Sequence, residues 1–313
     1  MNGAVLVHLG SGVGNIVFAT PLLAALGEMQ YAVDVLVSAD YPQTIELLRP
    51  WSLVRNVVGR ADCASYEHLL PAVPPFYWPR FQRTYQGLSN VVRRPPGALF
   101  YENEQEFYLA FARRIGFPAG RKPCYRLPIT AGQQHGVRPT TLVMAPGCKT
   151  GEMALKRWPW FAELAARFDD VVAVGTRDDL RDAEGHALRF PPHVRSLVDQ
   201  LTLRETAEAM AAAGAVVGND SGLSHVAGAV GTPTLILFGP TPHETLGEFP
   251  ANVRVMRAGL GCEPCWFGRR FVACDKRIDC LRRLPVDRVE EALLEMMGLE
   301  KDKPRLLARR GVR

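Results

Sequence analysis

No stretch of the 313 residues stays apolar for the roughly 18 positions that a membrane span requires. The first residues lack a basic stretch and a cleavage site, so they do not read as a secretory leader, and the expected compartment is the cytoplasm. Charge is nearly balanced. Against 37 Lys and Arg stand 32 Asp and Glu, and the formal +5 suits an anionic ligand or an acidic membrane surface without arguing for nucleic acid. No Asp-x-Asp triplet occurs, so a metal-held diphosphate is not indicated. A dinucleotide fingerprint is also missing. "GSGVGN" offers G-x-G but has Asn15 where the third glycine belongs, Asp34 falls inside the second strand, and Asp40 arrives late. That sets aside a hydride-transferring oxidoreductase.

What is present is an ordinary globular composition, 47% hydrophobic and 22% charged, over a length that suits about two domains. "AVLVHL" (4–9), "GSGVGN" and "IVFATPLLAALGEM" read as strand, glycine turn and helix, and "YAVDVLVS" as a second strand before a short helix in "TIELLRPW". "EFYLAFARRIGFP" has the spacing of an amphipathic helix, and 119–140 has the proline and glycine punctuation of a linker. Strand and helix then alternate again. "TLVMAPG", "DVVAVGT", "AVVGN" and "PTLILFG" are the expected strands; "WPWFAELAARF", "DDLRDAEGHALRF" and "VDRVEEALLEMMG" are expected helices, and "TLRE" (202–205) is a capping box. The rhythm predicts parallel sheets in two Rossmann-like halves, 1–130 and 131–295, ahead of a basic tail at 296–313. Ligands of such sheets sit at the strands' carboxyl ends.

The most polar strand end is "VVGNDSGLSH". A helix opening near Ser221 leaves its first amides without intrahelical acceptors, and with the helix dipole they form an anion site. Gly222 admits close approach, the amides of Ser221 to Leu223 make a cradle, and His225 can face the same anion. "FGPT" (238–241) places a second glycine turn beside it. The competing reading is a structural turn capped by Asp220.

"NDSGLSHVAGAVGTPTLILFGPT", "GSGVGNIVFATPLLAAL" and "KRWPWFAELA" together resemble, in order, the motifs of the family 9 glycosyltransferases, the ADP-heptose:lipopolysaccharide heptosyltransferases. The resemblance is weakest over about 60–100. It implies an α/β GT-B fold, two Rossmann-like domains facing across a cleft, with the acceptor on the N-terminal one and the nucleotide sugar on the C-terminal one. It implies an inverting transferase that moves a heptose or related sugar from a donor such as ADP-heptose to a bacterial surface glycan; some members modify protein. Carried over by position, it gives Lys156 as a phosphate contact, reaching across the interdomain gap, and Asp220 as an acid that helps hold the donor sugar. Without the resemblance Lys156 reads as a solvated lysine before a helix. Thr150 is a candidate phosphate contact and Asp178 a candidate ribose contact, both from their places on strand-end loops.

Displacement at an anomeric carbon needs a base beside the acceptor hydroxyl. The family places an aspartate in the N-terminal glycine turn, where this sequence has Asn15, and a neutral amide takes no proton at physiological pH. Two readings stand: Asn15 orients the acceptor while Glu104 or Glu106 acts as base, or the chain is a degenerate transferase that binds nucleotide sugar or glycan without turnover.

Cys262, Cys265, Cys274 and Cys280 follow C-x2-C-x8-C-x5-C, the first pair with the spacing of a metal knuckle. Structural iron or zinc, free thiols, and disulfides all remain open; some family members carry a comparable cysteine finger with iron. Four sulfurs would leave no open coordination position, so such a metal would be structural, and no cofactor is expected for catalysis. Cys63, Cys124 and Cys148 read as buried thiols. In 71–101, Phe76, Tyr77, Trp78, Phe81 and Tyr85 with Arg80, Arg83, Arg93 and Arg94 suit an anionic, lipid-linked glycan acceptor reached by peripheral membrane contact, or make an aromatic mini-core; no RNA-reading motif accompanies them.

Overall fold

A computed structural model describes residues 3–299 other than 11, 39–41, 59–61, 76–83, 94–96, 98, 133–134, 150, 268–269, 272–273 and 275–277. Two wholly parallel sheets organise it. The first comprises β1 (Ala4–Leu9), β2 (Ala32–Val37), β3 (Val54–Val58) and β4 (His68–Ala72) in the order β3-β2-β1-β4. The second comprises β5 (Leu142–Ala145), β6 (Val171–Ala173), β7 (Arg195–Ser196), β8 (Ala215–Asn219), β9 (Thr234–Leu237) and β10 (Val253–Met256), ordered β10-β9-β8-β5-β6-β7. Chain direction across each sheet reverses beside β1 and between β5 and β8, and those switch points are where crevices open above parallel strands.

Apolar runs explain the strands. Val143, Val172, Val216 and Leu235 are fully or almost fully buried because helices cover both faces of the second sheet. Helix α1 (Val13–Glu28) is apolar on nearly every face because it lies between the halves. One apolar cluster joins Val7, Phe18 and Leu22 to Tyr125, Val216 and Val226, so the floor between the two sheets is packed shut. A second cluster gathers Trp158, Phe161, Leu237, Leu281 and Leu293 on the other side of the second sheet.

Further helices are α2 (Ile45–Leu48), α3 (Glu104–Arg114), α4 (Phe161–Ala165), α5 (Leu203–Ala212), α6 (Gly222–Ala229), α7 (Asp279–Arg282) and α8 (Val286–Met296). The capping box forms at the start of α5. The Thr202 hydroxyl accepts from the Glu205 amide at 3.2 Å and the Glu205 carboxylate accepts from the Thr202 amide at 2.8 Å. Asn103 caps α3 by accepting from the Glu106 amide at 2.9 Å.

The structure corrects the reading in one place. No helix runs through "DDLRDAEGHALRF". The Asp182 carboxylate accepts from the amides of Glu184 (3.0 Å) and His186 (2.8 Å), Gly185 takes φ 89°, and a local turn displaces the helix. β4 contains Pro71, which argues against a central strand, and is tolerated because β4 is the sheet's edge. Asp34, inside β2, faces Arg55 (2.6 and 2.9 Å), Asn56 (3.0 Å) and Tyr66 (2.8 Å), a structural knot that accounts for its burial.

Candidate active site

At the switch point of the second sheet, β8 ends in Asn219, whose side chain ties two strand ends together. Its carbonyl accepts from the Trp158 amide at 2.9 Å and its Nδ2 donates to the Pro146 carbonyl at 2.5 Å. Asp220 follows, only 7% exposed, and its carboxylate collects three partners: Lys156 Nζ at 2.9 Å, His225 Nε2 at 3.0 Å and the Thr241 hydroxyl at 2.7 Å. A carboxylate only accepts, so His225 carries its proton on Nε2. Burial alone would raise the Asp220 pKa. The Lys156 charge and the bonds from His225 and Lys156 outweigh it and hold the acid far below the usual carboxylate range.

Among the described residues the Asp220 carboxylate does not cap α6. The N-cap of α6 is Ser221, in extended geometry, and no side chain caps the helix. The Ser224 hydroxyl donates to the Asn219 carbonyl at 2.6 Å. His225 lies behind Asp220, with its ring 4.6 Å from that of Phe18, and its buried Nδ1 has no hydrogen-bond partner among the described residues. Gly222 has a packing reason of its own. A Cβ there would lie 2.7 Å from Val13 Cβ, so the two glycine turns, at the starts of α1 and α6, touch.

Lys156 ends a 3-10 turn (Gly151–Lys156) after β5, on the same side of the gap as Asp220, and its side chain is 13% exposed. It is neither solvated nor across the gap. Asp178 is exposed on the turn after β6, and among the described residues no hydrogen bond or ion pair joins it to the Asp220 cluster. Its neighbour Asp179 turns inward, accepting from the Thr176 amide at 2.8 Å and filling the space beside Gly147. Thr150 lies outside the described residues.

On the N-terminal side the structure separates the two candidate bases. Glu106 pairs with Arg113 at 3.0 Å. Glu104, the first residue of α3, is 5% exposed; Asn15 Nδ2 donates to its Oε1 at 2.6 Å and the Tyr108 hydroxyl stands at 3.4 Å. Burial pushes Glu104 up to about 7, the bonds from Asn15 and Tyr108 opposing and the Asp220 charge adding to the rise. Sequence reasoning missed the adjacent Gln105. Its side-chain amide donates to the carbonyls of Leu246 (2.9 Å) and Glu248 (2.8 Å), fastening α3 to the chain beyond the "FGPT" turn. A glutamine in an exposed-looking first turn gave no sign of this.

The acceptor segment is only partly described. Tyr85 is a core residue and not a sugar platform. It is 6% exposed, packs with Leu6, Leu69 and Val73, and its hydroxyl meets His8 Nδ1. Arg93 is exposed, while Phe76, Tyr77, Trp78, Arg80, Phe81, Arg83 and Arg94 lie outside the described residues.

The cysteine loop sits against the same turn. Cys265 and Trp266 amides both donate to the Pro240 carbonyl, at 2.9 and 2.8 Å, and Cys280 Sγ lies 3.1 Å from where a side chain on Gly239 would begin. Among the described residues no disulfide joins any of the four. Cys280 is pushed up to about 12, by burial first and then by Glu263 and the other three thiols; Cys265 is raised by burial, Cys274 and Cys262. Ile278 donates its amide to Cys274 Sγ at 3.3 Å. Among the described residues, only Asp182, Glu184 and His186 bring three metal-capable atoms within 4.8 Å of one another, and they are the local turn already noted. Of the remaining cysteines, Cys148 is buried as expected, Cys63 is half-buried and Cys124 is exposed.

The profile of glycosyltransferase family 9 (heptosyltransferase) matches residues 106–270, more than half of the chain and inclusive of the Asp220 turn. The chain belongs to glycosyltransferase family 9. Lipopolysaccharide heptosyltransferase 2 of Escherichia coli strain K12 is 33% identical to this family 9 chain over 127 residues, which are 37% of the chain and 36% of that relative. The sequence match thus spans about a third of the relative's length. The solved ADP-heptose lps heptosyltransferase II of E. coli shares the GT-B fold, with TM-score 0.70 and 23% identity over 94% of this chain and 98% of that one. A dodecameric iron-containing heptosyltransferase, TibC, solved in complex with ADP-D-beta-D-heptose, superposes with TM-score 0.62 at 16% identity over 94% of this chain and 76% of that one.

Proposed function

We propose that this family 9 chain is an inverting glycosyltransferase that takes a heptose or related sugar from a nucleotide diphosphate donor, ADP-heptose first among them, and passes it to a bacterial surface glycan such as the lipopolysaccharide core. The observation that carries this reading is the Asp220 cluster. A buried carboxylate clamps Lys156 beside a helix start whose amides no side chain caps. A diphosphate arriving there meets amide donors and an ammonium already desolvated, where charge developing on the leaving group is stabilised most. The Lys156 ammonium then neutralises phosphate and the Ser221–Leu223 amides hold its oxygens, while Asp220, fixed by His225 and Thr241, presents its remaining lone pairs to sugar hydroxyls. Thr150 and Asp178 are the candidates for contact with phosphate and ribose. The reading places the enzyme in the cytoplasm, in peripheral contact with the membrane that carries a lipid-linked acceptor; no helix among the described residues is long and apolar enough to cross a membrane.

Titration with ADP, followed by thermal unfolding, tests the reading. At about 100 times its Kd, ADP stabilises the fold by ~2.7 kcal/mol through mass action. Lys156→Ala abolishes most of that shift. No shift from either ADP or ADP-heptose at millimolar concentration overturns the assignment.

The same reading includes a structural iron or zinc on Cys262, Cys265, Cys274 and Cys280. The donor chemistry fits: four soft sulfurs influence one another, and the Ile278 amide donates to one of them as outer-shell amides do around metal thiolates. Among the described residues no three of these sulfurs all lie within 4.8 Å of one another. Elemental analysis of the purified protein decides. About one equivalent of iron plus zinc is expected for a single four-sulfur site, and less than a few tenths rejects it.

A further inference from the structure

Sugar transfer, the reading on which this inference rests, requires the acceptor hydroxyl to lose its proton as it attacks. The glycine turn offers Asn15, which can donate but not remove a proton there. The amide of Asn15 points at Glu104, 2.6 Å away, at the buried first position of α3. We propose that Glu104 is the proton acceptor of this enzyme and that Asn15 is the positioning residue that aims it.

The other ionisable groups nearby are committed. Asp220 is held by Lys156, His225 and Thr241, Glu106 by Arg113, and His225 gives its Nε2 proton to Asp220. Glu104 accepts only from Asn15 and, weakly, Tyr108, which leaves Oε2 without a hydrogen-bond partner among the described residues. Tyr108 on its own helix and Asp220 across the seam are the titratable groups that act on it. Burial brings the carboxyl to about 7, close to the pH at which a base must work. The step balances. The acceptor O–H proton passes to the Glu104 carboxylate, the oxygen forms the new bond to the anomeric carbon, and the bond from that carbon to the phosphate oxygen breaks. The diphosphate leaves with the electron pair and is held at the Lys156 end.

The test measures ADP release from ADP-heptose, with heptose-deficient lipopolysaccharide or water as acceptor, alongside ADP affinity by thermal shift. Glu104→Gln lowers turnover by about 10²- to 10⁴-fold, the span of a general base, while ADP affinity stays within about threefold. Asn15→Asp combined with Glu104→Gln places an acid in the glycine turn instead and restores a measurable part of the rate. Asn15→Ala removes a bond to the charged form, so the acidic limb of kcat/KM moves to higher pH. The infrared carboxyl band that titrates near neutrality in the wild type disappears in Glu104→Gln. A Glu104→Gln enzyme with wild-type turnover overturns the proposal, as does a wild type that binds ADP and never releases it from ADP-heptose. Failure of the wild type to bind ADP at all instead overturns the transferase reading beneath it.

Discussion

Asp220→Asn costs about 3–5 kcal/mol of folding free energy, the usual price of stripping one partner from a buried ion pair. The amide keeps the shape of the carboxylate but leaves the Lys156 ammonium, 13% exposed, without a counter-charge, and weakens the acceptor for His225 and Thr241. Urea unfolding at neutral pH measures the loss. Lys156→Met in the Asp220→Asn background recovers a large part of it, because the stranded charge is gone; a double-mutant cycle isolates the coupling. The pH dependence has a definite sign. The folded pKa of Asp220 is depressed, so its contribution is complete above the ordinary value of 3.8 and drains away as pH falls below it. Asp220→Asn flattens that acid slope. A loss under about 1 kcal/mol, within the range of exposed pairs, contradicts the buried clamp.

Trp158→Ala is expected to cost about 3–5 kcal/mol as well, through a cavity. Trp158 is completely buried, packs edge-on against Phe161 with ring centroids 5.2 Å apart, and donates its indole N–H to the Leu284 carbonyl at 3.0 Å. Its truncation opens the second cluster and leaves that carbonyl unpaired. The effect reaches the site because the backbone amide of the same residue holds Asn219 at 2.9 Å, one position before Asp220. ADP affinity therefore falls with stability, and Trp158→Phe, which refills most of the volume but not the hydrogen bond, lies between the two. Equal ADP affinity in Trp158→Ala and wild type contradicts the link.

Much of this architecture was legible in residue order. "AVVGN", "PTLILFG" and "TLVMAPG" are apolar because both faces of their sheet are covered, and the polar turn after Asn219 stands out against them. The capping box at Thr202 is written in four residues and forms as written. Interactions between distant residues were not legible. Nothing local to "YENEQEF" distinguishes Glu104, which is buried against Asn15, from Glu106, which pairs with Arg113 on its own helix; 89 residues separate the first pair. His225 looked like a ligand group and is a support for Asp220, since which face of a helix looks inward depends on what packs there. Gly222 looked like space for a ligand and is also space for Val13. "DDLRDAEGHALRF" misled because Asp182 satisfies nearby amides from its side chain, an option that helical periodicity does not register.

Gln105 gives the seam between the halves a latch. Its side chain grips two carbonyls, at 246 and 248, of the strand of chain that leads away from Thr241, while its neighbour Glu104 is tethered to α1. Because the two contacts start from adjacent residues at the start of one helix, a displacement of α3 strains the junction of 246–248 and the junction with α1 together.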